Sequence, residues 1–235
     1  MSGWAAKRFW TEAKPVSLER GFSVQLDGRP VKTPAKAALI VPTLGLAEQI
    51  AAEWDAQEKT VDPTTMPFTR SANAAIDKVM IQHAEVADMI ADYGDSDLLC
   101  YRADSPRELC ERQAMAWDPL LDWADQTFNA RLRPRTGVVH VPQDPRAIEN
   151  LRRVVHGFDA FELTAIHDLV GMSGSLIIGL AAAHGIESPK ALWDKSRVDE
   201  RWQAEQWGDD DEALEVEAKK KNEFEHAVKL FELAK

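Results

Sequence analysis

Cysteine is nearly absent. Cys100 and Cys110 are the only two in 235 residues. Their spacing fits neither a disulfide framework nor a zinc site, so both read as buried thiols of a reducing compartment. No apolar run reaches the roughly 20 residues of a membrane-spanning helix, so no membrane insertion is expected. The first residues, MSGWAAKRFW, hold no long apolar h-region and are too short for an organellar transit peptide, which points to a bacterial cytoplasmic protein or a processed organellar one. Basic charge is also short: 28 Lys and Arg against 39 Asp and Glu leave a net charge of −11, which disfavours nucleic acid and anionic lipid as partners. There is no G-x-x-x-x-G-K-[ST] loop and no G-x-G-x-x-G turn. The 6 histidines are scattered, with no H-x-x-x-H and no Cys/His cluster, so neither a metal nor a cofactor is expected. Repeats and low-complexity segments are absent as well.

What is present divides near residue 64. Phe22, Val24 and Leu26 alternate with polar residues and run into Asp27-Gly28, a tight-turn dipeptide. Val31 and Thr33 continue on the far side, with Pro30 and Pro34 marking an edge, and Leu39 to Val41 gives a third short strand. Thr43 then caps a helix whose Leu46, Ile50 and Trp54 share one face and pack on the sheet. Thr60 to Met66 reads as a linker, broken by Pro63. The expectation is an α+β protein: a small antiparallel-sheet domain over residues 1–64 and a larger all-α helical bundle over residues 65–235.

The bundle reads as a succession of amphipathic helices. Phe68, Ala72, Ile76, Val79, His83, Val86 and Ile90 fall at helical steps, predicting one long helix stopped near Gly94, with His83 as a satisfied core histidine. Ser105-Pro106-Arg107-Glu108 has the form of a capping box opening a helix that Pro119 kinks or restarts. Gly137 to Val141 is a short extended segment. Asp144-Pro145 and Ser188-Pro189 open further helices. Leu169 to Ala183, uncharged and rich in Gly, Ser and Ala, reads as the helix at the centre of the bundle, its small residues admitting close neighbours. The acidic run Asp209 to Glu217, followed by Lys219, Lys220 and Lys221, opens a last amphipathic helix with Leu214, Ala218, Phe224, Val228 and Phe231 as its stripe.

Chemistry is sparse. Gly171 to Ser175 nearly spells the nucleophile elbow, so a hydrolase using Ser173, or the carboxylates Asp95 and Asp97, is the alternative to a binding protein. His167-Asp168 resembles half of a triad, but adjacent helical residues point in different directions. No constellation is specific enough to name catalytic residues. Trp202 and Trp207 flank Glu205, and tryptophan with a carboxylate suits a partner-binding surface as well as it suits a helix pinned to its core.

Several stretches taken together resemble a known family: Lys7 to Trp10, GFSVQLDGRPVKTP at 21–34, Ala52-Glu53-Trp54, Met66 to Arg70 with Ala72 to Asp77, DLLCYR at 97–102, WDPLLDW at 117–123, Ser173 to Leu176 and Trp202 to Gly208. The chain is similar to the assembly chaperones of the alpha subunit of the F(1) sector of ATP synthase, found in mitochondria and alphaproteobacteria. That resemblance implies a two-domain protein without catalysis. It implies a monomer that binds unassembled alpha subunit and prevents its aggregation until the beta subunit replaces it, without ATP. It also implies a functionally important acidic residue near the carboxy-terminal end, for which Glu205, Asp211 and Glu212 are the candidates, with Trp202 and Trp207 beside them. The bacterial branch implies a cytoplasmic location, and eukaryotic relatives the mitochondrial matrix.

Overall fold

The computed structural model describes residues 7–208 and 210–235. Asp209, counted above in the acidic run, lies outside the described residues. The chain forms two compact units: Met1–His83 with Ala160–Ala165 and Lys229–Lys235, and Ala84–Asp159 with Ile166–Val228.

The first unit holds a three-stranded antiparallel sheet, β1 Ala13–Leu18, β2 Gly21–Leu26 and β3 Arg29–Pro30, in that order. The turn between β2 and β3 is the expected Asp27-Gly28, with positive φ at both residues (47° and 82°), as a two-residue hairpin requires. The expected third strand at Leu39 to Val41 is reduced to single bridges such as Phe22↔Val41. The real partner, β1, was not anticipated, because AKPVSL alternates weakly and stays largely at the surface. Helix α1, Leu44–Asp55, lies across β1 and β2, burying Leu46, Ala47, Ile50 and Ala51. Thr43 accepts from the Leu46 amide at 3.2 Å, the predicted N-cap.

The expected single helix from Pro67 to Gly94 is broken. It comprises α2, Pro67–Ala74, a π-helical turn at Ala75–Val79, an interruption at residues 80–82, and α3, His83–Ala91. The helical spacing of apolar residues survives a π turn, so the pattern alone does not reveal the break. His83 is half-buried rather than in the core. The start of α2 has no side-chain cap of its own. Glu53 of α1 supplies one, accepting from the Phe68 amide at 2.6 Å and the Thr69 amide at 2.7 Å. Burial raises that carboxyl's pKa.

The second unit is helical apart from a two-residue parallel pair, β4 Tyr101–Arg102 with β5 Arg135–Thr136. Helix α4, Arg107–Phe128, continues through Pro119 without restarting. The capping box does not form, since the Ser105 hydroxyl donates to the Asp104 carboxylate at 3.0 Å instead. After β5, the expected extended segment does not form a strand: the chain bends at Gly137, which has φ +88°, and at Val138, and residues 137–141 are exposed. Helix α5, Pro145–His156, is capped by Asp144 as predicted.

The uncharged stretch is two helices, not one. α6, Ala160–Ser173, ends where Gly174 turns with φ +71°, and α7, Leu176–Ala183, begins from the cap Ser175. All of α7 is buried, as its composition demanded. A buried carboxylate holds the break: Asp97 accepts from the Ser175 hydroxyl at 2.7 Å, the Leu99 amide at 3.0 Å and the Ile177 amide at 3.0 Å. The chain continues through α8, Pro189–Lys195, with its Ser188 cap. α9, Val198–Trp207, follows, then α10, Asp211–Ala234. The predicted stripe of α10 is realised in part: Phe224, Val228 and Phe231 are buried, while Leu214 and Ala218 are exposed.

Candidate functional site

Ser173 and Asp97 of the hydrolase alternative are closed to solvent, and Asp95, which is half-buried, is engaged by its neighbours. Ser173 is fully buried, and its hydroxyl donates to the Leu169 carbonyl at 2.7 Å, one helical turn back. Asp97 is fully buried at the α7 cap, where desolvation pushes its pKa up to about 6. Asp95 is occupied with the Gln143 amide at 2.7 Å. His167 and Asp168 do meet, contrary to the helical-geometry argument, with Nδ1 2.9 Å from Oδ1, and that contact raises the imidazole's pKa. Cys100 is buried and its thiol is pushed up to about 12 by that burial, so it is inert. Cys110 is only half-buried, against the expectation for both thiols. Among the described residues no group of three His, Cys, Asp or Glu side chains is placed to hold a metal ion. No described helix is long and apolar enough to cross a membrane.

The surface that remains is built on α9. This helix has no buried residue. A helix of ten residues is marginal on its own, so its attachments to α4 decide whether it forms. Two polar clamps provide them. Gln113, fully buried on α4, donates through Nε2 to Asp199 at 2.7 Å and accepts the Ala103 amide at 2.9 Å. From the adjacent position on α4, Arg112 Nη1 donates to both oxygens of Glu205, at 2.8 and 2.7 Å. The same guanidinium lies over the Trp202 ring, 4.8 Å from its centroid, fixing the indole by a cation–π contact.

Together these elements leave a groove of about 420 Å³ along α9 and the start of α4, lined by Ser105, Pro106, Leu109, Trp202, Gln203 and Trp207 among others. Trp207 is 79% exposed. A tryptophan left this open at the mouth of a groove of mixed polar and apolar lining is what a partner surface offers. Of the five residues singled out in the sequence, the structure brings Trp202, Glu205 and Trp207 together on α9. Asp211 and Glu212 are exposed in the first turn of α10 and do not line the groove. Arg112, Gln113 and Leu109 escaped notice. Arg112 lies 93 residues from Glu205, and nothing local marks an arginine on an amphipathic helix as the partner of a distant glutamate.

Comparison with known proteins bears on the same chain. The model of the family described as ATP12 chaperone protein matches residues 7–125. A mitochondrial protein of Schizosaccharomyces pombe named atp12 is 24% identical over 223 residues, covering 90% of this chain and 77% of the relative. The crystal structure of Atp12 from Paracoccus denitrificans is 46% identical, covers 99% of this chain and 100% of its own, and superposes with a TM-score of 0.95. A mutant of Atp12p from the same organism is 46% identical with a TM-score of 0.96, covering 100% of both chains. The chain belongs to the ATP12 chaperone family.

Proposed function

We propose that this ATP12-family chaperone assists assembly of the F(1) sector of ATP synthase by holding the unassembled alpha subunit until the beta subunit displaces it. The observation that carries the reading is the surface of α9: an exposed Trp207 and a half-buried Trp202 line its groove, and Glu205, outside that lining, is held by Arg112. A subunit waiting for its neighbour exposes large apolar patches, and these aggregate unless covered. Trp202 and Trp207 would cover such a patch. Glu205, with Asp211 and Glu212 at the start of α10, would meet arginine or lysine around it.

Release needs no nucleotide chemistry. If the beta subunit binds the same patch more tightly, mass action removes the chaperone. The protein would therefore act as a monomeric binding partner and not as an enzyme. Its place is the bacterial cytoplasm, or the mitochondrial matrix in relatives such as that of S. pombe. The test is turbidity of isolated alpha subunit diluted from denaturant, with and without this protein and without ATP. Suppression at a few-fold molar excess is expected, and Trp207→Ala should weaken it while leaving the fold intact. Undiminished turbidity at high excess would sink the proposal.

A further inference from the structure

The chain from α9 into α10 is pinned firmly at its two ends and weakly between them. Trp193 and Ser196 are buried before it, and Phe224, Ala227 and Val228 after it. The two ends meet, with the Trp193 and Phe224 ring centroids 5.6 Å apart. The Trp117 indole donates to the Lys195 carbonyl at 2.7 Å, and Arg197 Nη2 to the Met172 carbonyl at 3.2 Å, so this base is fixed to α4 and α6.

From Arg197 to Glu223 no described residue is buried. α9 hangs on Gln113–Asp199, on Arg112–Glu205 and on the Arg112 guanidinium over Trp202. Residues 211–223 of α10 have less. Among the described residues their side chains form no hydrogen bond or ion pair with another element, and Leu214 and Val216 are exposed. The two pieces also depend on each other. A helix of ten residues does not persist alone in water, so α9 unfolds when it undocks. Asp210, which follows closely on the end of α9, starts α10 by accepting the Glu212 amide at 3.0 Å. A docked α9 holds that start in place, and an undocked one leaves α10 to fray back toward Phe224.

We propose that α9 and residues 211–223 of α10 open and close as one cooperative unit, based at the Trp193–Phe224 pair, while the rest of the second unit stays folded. Partial opening of this kind falls on segments with few buried apolar contacts. In the closed arrangement Trp202 and Leu109 are both half-buried and line the same groove. Opening bares them, so this arm acts as a lid over apolar surface of its own. The inference does not depend on what the α9 groove binds.

The test is native-state hydrogen exchange on the full chain over a series of low guanidinium concentrations. The hydrogen-bonded amides of α9 and of α10 up to Glu223 are expected to share one opening. They should exchange at least about a hundredfold faster than those of α7, with a shallower denaturant dependence. Two substitutions at exposed residues test the coupling in opposite directions. Glu205→Lys removes an α9 clamp, and Ala218→Gly weakens α10 as a helix without altering α9. Each should speed exchange in both helices by a common factor of about fivefold or more. Acceleration confined to the substituted helix would overturn the proposal. So would separate denaturant dependences for the two helices, or an α9 as well protected as α7.

Discussion

Glu205→Lys separates a structural role for the α9 carboxylate from a role in meeting a client. In the wild type, Glu205 and Arg112 form an ion pair whose side chains are 50% and 47% exposed. Exposed pairs of this kind contribute about 0.2–1 kcal/mol. Lysine removes that and sets two cations near each other, adding about 1 kcal/mol of repulsion at a few ångströms in a watery dielectric. The total loss is about 1–2 kcal/mol. For a domain of 150–250 residues each kcal/mol moves the melting temperature by about 2–4 °C, so the expected drop is about 2–8 °C. The Gln113–Asp199 clamp is untouched and should keep α9 in place.

The decisive variant adds the reciprocal change, Arg112→Glu. The swapped pair restores opposite charges across the same gap, so the melting temperature should return to within about 2 °C of wild type. Client binding should not return, because the carboxylate the client would meet now stands on the wrong helix. The assays are calorimetry and suppression of alpha-subunit turbidity on the same three proteins. If the swap restores both stability and suppression, Glu205 serves only to pin α9, and the client surface must lie elsewhere.

Three further outcomes follow from the packing. Asp97 has a folded-state pKa of about 6 against an ordinary 3.8. Its contribution is therefore full below about pH 4 and is lost as pH rises through about 6. The wild-type advantage over Asp97→Asn should shrink by roughly 3 kcal/mol from pH 4 to pH 7 in denaturant titrations, and a pH-independent difference would contradict the burial argument. At Gly179, an added Cβ would stand 2.7 Å from Val170 Cγ2 across the α6–α7 contact, so Gly179→Val should cost about 1–3 kcal/mol by overpacking, whereas a neutral result would mean the two helices are free to part. Gly174, with φ +71° and no atom nearer than Leu98 Cβ at 3.8 Å, tests conformation rather than space: Gly174→Ala should cost about 1–2 kcal/mol, and wild-type stability would show that the break tolerates another backbone geometry.

The elements written locally were legible. Phe22, Val24 and Leu26 with Asp27-Gly28 announced a hairpin. Thr43, Asp144 and Ser188 announced helix starts, and each accepts the amide its position requires. What stayed hidden depends on distant partners. Ser105 had the sequence of a capping residue but found Asp104, and the helix it should have capped begins without it. The stretch from Leu169 to Ala183 looked continuous because composition reports burial, not direction. Its break rests on Asp97, some 80 residues earlier in the chain, which supplies acceptors to the Ser175 hydroxyl and the Ile177 amide.

The same logic explains why only half of the candidate site could be read. Trp202, Glu205 and Trp207 stand out because aromatics beside a carboxylate are uncommon on a short charged helix. Their partners Arg112 and Gln113 lie on α4, in a turn whose apolar neighbours account for its periodicity. Yet those partners give the site its character. α9 buries no residue, so hydrophobic packing does not set its position. Polar clamps and one cation–π contact set it instead, and these leave the groove side of Trp202 and the whole of Trp207 uncommitted. A helix held by its polar edge, with Trp207 turned outward, spends little of its apolar surface on its own fold. Under the proposed function, that surface is what would meet the client, and the few contacts that fix it would let it adjust to an unassembled subunit and yield to a tighter partner.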